Sequence, residues 1–211
     1  MSSRNPVAVV IGATSKWQAD GRNTRLAHGR DLDDSELPVA IRWGVGGAIA
    51  QKFASMGFHV VLTTRHAKNA GTLEAAIRQQ GGECSTVELD LVSETSINAA
   101  FASIRASLAD PEVVVLNAGY LEGRDLPREK ELLEHIPVER FDTAQRIASR
   151  GPFLVAKAAL PAMRARGRGS FLLTNNAASL RGRKRMTGQS LYYPRVMMRA
   201  RARRSSGINA A

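Results

Sequence analysis

Val7-Ala-Val-Val-Ile11, closed by Gly12-Ala-Thr-Ser15, is the stretch on which the fold turns. An unbroken apolar run rich in β-branched residues, with no polar residue alternating through it, predicts a strand buried on both faces, as in a parallel sheet. Further strands are read at Phe58–Thr63 (FHVVLT), Ser85–Leu91, Glu112–Leu116 (EVVVL) and Ser170–Thr174 (SFLLT). Helical text fills the intervals. Gly44–Phe53 opens a helix with Ile49, Phe53 and Met56 on one face and Gly57 as its stop. Thr72–Gln80 ends at Gly81-Gly82, and Ile97, Phe101, Ile104 and Leu108 form one helical stripe before Asp110-Pro111. Arg140–Arg166 is a longer helical segment that Pro152 and Pro161 bend or divide. Strand and helix alternate, and the helices are too long for hairpin loops. Parallel strands need such crossovers, so the pattern predicts a doubly wound α/β sheet.

Composition sets the outer limits. The 211 residues fit one domain, and 44% hydrophobic residues suffice for a packed core. No run approaches the roughly 18 apolar residues of a membrane span, and Met1–Pro6 lacks the apolar stretch of a leader. Cys84, as the single cysteine, can form no internal disulfide, which fits a reducing cytoplasm. The net charge of +11 is unevenly spread: all 19 acids lie before residue 143, and 15 of the 30 lysines and arginines lie after it. The block from Arg181 to Arg204 can be read as a nucleic-acid arm or as a tail outside any folded surface.

Where the first strand meets the first helix, glycines let a backbone approach a pyrophosphate, which the helix N-terminus attracts with unpaired N–H groups. Here the glycines come in two pieces. Gly12-Ala-Thr14-Ser15 follows the strand, and Gly44-Val45-Gly46 opens the helix. Between them Lys16–Trp43, with Asp20-Gly21 and Leu37-Pro38 and no sustained period, reads as a loop insert over about residues 16–43. Joined across the insert, the pieces resemble the G-x-x-x-G-x-G pattern of the short-chain dehydrogenase/reductase family. Thr64-Arg65, Asp90-Leu91 and Asn117-Ala118-Gly119 fall where that family has further cofactor contacts, and the likeness runs from about Val7 to Gly182. The resemblance implies a Rossmann-type fold and a nicotinamide cofactor. It places cofactor selection at Thr64-Arg65, adenine contacts at Asp90-Leu91 and the cleft lining at Asn117-Ala118-Gly119. Strand two ends in no acid to accept ribose hydroxyls, and a guanidinium fits a 2′-phosphate, so NADP is expected over NAD.

The resemblance further implies hydride transfer between NADP(H) and a small carbonyl or alcohol substrate. The reaction needs a Ser on the substrate oxygen, a Tyr phenol as acid, a Lys four residues later and an upstream Asn. The Asn falls near Ala148, which cannot serve. The Ser falls at Asn176, with Ser179 the nearest hydroxyl, and the phenol is Tyr192 or Tyr193. Neither tyrosine has the lysine, since Val196 and Met197 stand there. Arg195 and Arg199 are the nearby cations, and a guanidinium can stabilise a phenolate but relays protons poorly. Lys157 and His135 read as solvated surface residues.

Relatives in this family commonly pair through the helix that Arg140–Arg166 resembles, which makes a homo-oligomer a further expectation. Residues 1–199 read as one dinucleotide-binding domain and residues 200–211 as a basic, disordered tail. A family member should continue into a further helix and strands. Arg and Ala alternate there instead, as a shifted reading frame of GC-rich DNA produces, so the sheet is expected to be incomplete at its C-terminal edge. Two readings compete with an oxidoreductase: a dinucleotide-binding protein without catalysis, and a nucleic-acid binder using the basic segment. The second lacks any zinc, helix-turn-helix or ribonucleoprotein signature.

Overall fold

The computed structural model describes residues 5–13, 43–119 and 137–175. They form a parallel sheet of five strands, β1 (Val7–Ile11), β2 (His59–Thr64), β3 (Glu83–Glu88), β4 (Val113–Leu116) and β5 (Ser170–Leu173), in the order β3-β2-β1-β4-β5. Helices α1 (Gly44–Ser55), α2 (Gly71–Gln79), α3 (Glu94–Ser107), α4 (Val138–Gln145) and α5 (Gly151–Ala165) alternate with the strands. This is the Rossmann-type doubly wound architecture. Strand order reverses at β1, whose register runs Val9↔Val61 on one side and Val9↔Val114 on the other. The reversal opens a crevice at the carboxyl ends of β1 and β4, where open α/β sheets bind ligands.

Each face of the sheet has its own core. On one, Val7, Val9, Ile11, Val61, Val114 and Phe171 pack against Ile97, Phe101 and Ile104 of α3 and Leu154, Val155, Ala159 and Met163 of α5. On the other, Val10, Val60 and Leu62 pack against Ala50 and Ala54 of α1 and Leu73 and Ile77 of α2. β1 is buried at all its positions, as its unbroken apolar text demands.

Three expectations are corrected. Met56 is exposed and Ile49 and Phe53 are only partly buried, because α1 meets the sheet through Gly46, Gly47, Ala50 and Ala54. Small residues let its backbone come close, and a hydrophobic-size criterion overlooks them. β3 ends at Glu88, so Asp90 and Leu91 lie in the turn beyond it. The long helical segment divides in a π-helical turn, Arg146–Arg150, between α4 and α5. Pro152, in the first turn of α5, has no N–H to continue the ladder from upstream, so the change of winding falls before it. Pro161 lies inside α5, which continues to Ala165.

Candidate functional site

The sheet gathers most of the residues expected at the site, among those described, at the carboxyl ends of its strands. Gly12, with φ +81, turns the chain out of β1 so tightly that a Cβ there would stand 2.6 Å from the Ala118 backbone. Gly46 faces it from the first turn of α1. A Cβ on Gly46 would strike the Gly12 carbonyl oxygen and come within 2.7 Å of Asn117 Nδ2. The two glycine pieces that lie far apart in sequence are therefore one contact in space, and only glycine fits at Gly46.

Asn117 closes the arrangement. Its backbone N–H donates to Ile11 O at 2.8 Å, continuing the β1–β4 ladder past the end of β4. Its Nδ2 donates to Gly12 O at 3.1 Å, and its Oδ1 accepts from Thr174 Oγ1 at 3.1 Å. A carbonyl can only accept, so the Gly12 contact dictates which end of the amide is which. Thr174, one residue beyond β5, escaped the sequence reading because only the β4–β5 pairing brings it beside Asn117.

The start of α1 suits an anion. Gly44 takes φ +65. No side chain caps the helix at Trp43, whose indole has no acceptor to offer, and no acid occupies the first turn. The N–H groups and positive dipole end of a twelve-residue helix thus lie at the crevice with no carboxylate in the helix's own first turn. Val45 is exposed beside them. These features fit a pyrophosphate.

The neighbouring strand ends supply the rest of the rim. Thr64 closes β2, and Arg65 beyond it is exposed. After β3, Asp90 Oδ1 accepts from Val92 N at 3.1 Å, and Asp90 N donates to Ser96 Oγ at 3.0 Å. Arg150 ties this turn to α5, donating to Val92 O at 3.4 Å and Glu94 Oε2 at 3.3 Å. Leu91 is buried under Gly151, where a Cβ would come within 3.1 Å of it. Ala148 lies in the π turn.

Thr14, Ser15, Asn176, Ser179, Tyr192, Tyr193, Arg195 and Arg199 lie outside the described residues, as do the insert from 16 to 42 and the tail. One further polar cluster, in which His59 Nε2 meets Ser85 Oγ at 3.0 Å and Nδ1 meets Glu83 at 3.4 Å, sits at the opposite, amino-terminal end of the strands.

The fold and its crevice are those of the Rossmann class. Residues 39–194 match the family described as enoyl-(acyl carrier protein) reductase, and the chain belongs to this short-chain dehydrogenase/reductase family. It is 29% identical over 140 residues to an uncharacterized oxidoreductase of Bacillus subtilis, covering 66% of this chain and 48% of that protein. It is 30% identical to an NADP-dependent 3-hydroxy acid dehydrogenase of Salmonella typhi, covering 71% of this chain and 55% of the relative. The chain spans about half the length of these curated relatives. Among solved structures, a metagenomic short-chain oxidoreductase in complex with NADP superposes with a TM-score of 0.66 at 23% identity, covering 91% of this chain and 72% of that one. An actinorhodin polyketide ketoreductase with NADPH gives 0.67 at 22% identity over 89% of this chain and 58% of its own. At such identities the structural likeness is one of fold.

Proposed function

We propose that the chain is an oxidoreductase that binds NADP(H) at the β1–β4 crevice and serves hydride transfer between that cofactor and a carbonyl or alcohol substrate. The observation that carries this reading is the close approach of Gly46 to the Gly12 carbonyl under the Asn117 amide, a cradle that a Cβ would fill. The α1 N-terminus holds the pyrophosphate there, together with Gly12, Thr14, Ser15, Gly44 and Val45. Arg65, beside Thr64, pairs with the 2′-phosphate; Asp90 and Leu91 border the adenine; Ala118 and Gly119 line the cleft. When bound, the cofactor supplies the hydride or accepts it. Asn176 or Ser179 holds the substrate oxygen, and Tyr192 or Tyr193 acts as its acid, with Arg195 and Arg199 as the nearby cations. NADP-dependent relatives in the same family support the cofactor choice. The reading extends to a cytoplasmic setting and to homo-oligomers formed through α4 and α5.

The test is direct titration with NADPH, followed by its oxidation with a panel of carbonyl compounds. We expect saturable binding that Gly46→Val abolishes. A folded chain that binds no dinucleotide would refute the assignment. Binding without turnover would leave a cofactor-binding protein and discard the catalytic set.

A further inference from the structure

Strand two offers no acid near the position that reads the cofactor's 2′ group, yet the sheet brings one there from the neighbouring strand. Thr64 pairs in parallel register with Glu88, the last residue of β3. Leu89 N donates to Thr64 O at 2.9 Å, which locks the two strand ends side by side. The Glu88 side chain then reaches across to the chain beyond Arg65: its Oε1 accepts from Ala67 N at 2.8 Å. This hydrogen bond fixes a carboxylate two residues from Arg65. Arg65 and Glu88 are both exposed, and among the described residues no ion pair joins them. Among the described residues, the charged and titratable groups of these two strand ends and of the chain just beyond them are Arg65, His66, Lys68, Glu88 and Asp90.

We propose that Glu88 is a specificity-determining residue of the cofactor site, opposing Arg65 and letting the chain accept NAD alongside NADP. The inference rests on the placement of the adenosine ribose at Thr64-Arg65. A 2′-phosphate brings negative charge to a position where a carboxylate already stands, held by a backbone N–H that a phosphate oxygen could otherwise use. A free 2′-hydroxyl is a donor, and a carboxylate accepts from it. One residue therefore weakens one cofactor and supports the other. An acid at the end of strand two would announce itself in the sequence; Glu88 does not, because it lies 23 positions on from Arg65 and becomes its neighbour only through the β2–β3 register.

The experiment measures dissociation constants for NADP and for NAD with the unaltered chain, Glu88→Gln and Arg65→Ala. Glutamine keeps a carbonyl oxygen for the Ala67 N–H, so the turn is preserved while the charge is removed; the melting temperature checks this. Glu88→Gln should raise the NADP:NAD affinity ratio by about threefold to tenfold, the effect of deleting one like charge at a solvent-screened site. The rise should shrink as salt is added. Glu88→Asp keeps the charge and should leave the ratio near its original value. If Glu88→Gln does not fold, Glu88→Thr gives the same charge removal and the same expected shift. A ratio unchanged in the folded, uncharged variant overturns the proposal, as does failure of the unaltered chain to bind either cofactor. Arg65→Ala judges the parent reading separately. If it weakens NADP while Glu88→Gln shifts nothing, Glu88 falls and the cofactor assignment stands.

Discussion

At the scale of single residues, the crevice depends on what is missing from Gly46. Adding one methyl forces it against the Gly12 carbonyl, the Asn117 amide at 2.7 Å and the Ala13 backbone at 3.0 Å, and two of these three are main chain that cannot swing aside. Gly46→Ala should therefore cost about 1–3 kcal/mol, the usual penalty of overpacking. NADPH affinity should fall further than stability does, because the displaced atoms are the cofactor's own floor. Urea unfolding and a binding titration on the same sample check both. Cys84 makes a second case. Burial, with Glu74 adding repulsion, pushes its thiol above the ordinary range, and Arg78 only partly offsets this. A raised thiol pKa means that the unfolded chain ionises first. The stabilisation is complete below the unfolded pKa and is lost as pH rises through the folded one. Alkylation of the native protein at about pH 8 should thus be far slower than in urea. The melting temperature should fall less steeply between about pH 8 and pH 10 in Cys84→Ala than in the unaltered chain.

Elements show where sequence can be read and where it cannot. β1 and β4 were the most legible strands, because burial on both faces writes an unbroken apolar run at Val7–Ile11 and Val113–Leu116. α3 was legible because Ile97, Phe101 and Ile104 repeat at helical spacing and are all fully buried. α1 was legible as a helix, and Ile49 and Phe53 do pack against the core, but Met56 is exposed and the closest contact falls to glycine and alanine, which residue size does not report. The π turn at Arg146–Arg150 carries no compositional mark. In the site, Gly12, Gly46 and Asn117 could be picked from local motifs. Thr174 and Glu88 could not, because each enters through a partner strand fixed only when the register is fixed. Ser93 carries a local signal too, since its Oγ accepts from Ser96 N at 3.1 Å and caps α3. Ser93→Ala should cost about 1 kcal/mol, read as a lower urea midpoint with an unchanged slope. The Asp90 turn leans on the same cap through Ser96 Oγ, so cofactor affinity should weaken as well.

For the molecule as a whole, the sheet and the charge occupy different parts of the chain. All five strands, and every described residue that we assign to the cofactor, lie between Val7 and Thr174. Residues 143–211 contain no acid, and their cationic excess gathers from Arg181 onward. We propose that residues 1–199 make the dinucleotide-binding domain and that residues 200–211 stand outside it. Deleting 200–211 removes Arg201, Arg203 and Arg204 but none of the described residues, and so none of the strands and core residues described among them. The shortened chain should therefore keep its melting temperature and its NADPH affinity. The comparison needs a control that does reach the core. Phe101→Ala empties a fully buried aromatic site between α3 and the sheet and should cost about 3–5 kcal/mol. Retention on immobilised DNA, followed across a salt gradient, judges the rival use of the tail. A working nucleic-acid arm that loses three arginines would elute at lower salt, with a shallower dependence of affinity on salt, because fewer counterions are released per contact. Equal melting temperature and equal cofactor binding are the outcomes that our domain boundary requires, and equal elution of the two chains discards the nucleic-acid arm. A fall in melting temperature on deletion would place the tail inside the fold and refute that boundary.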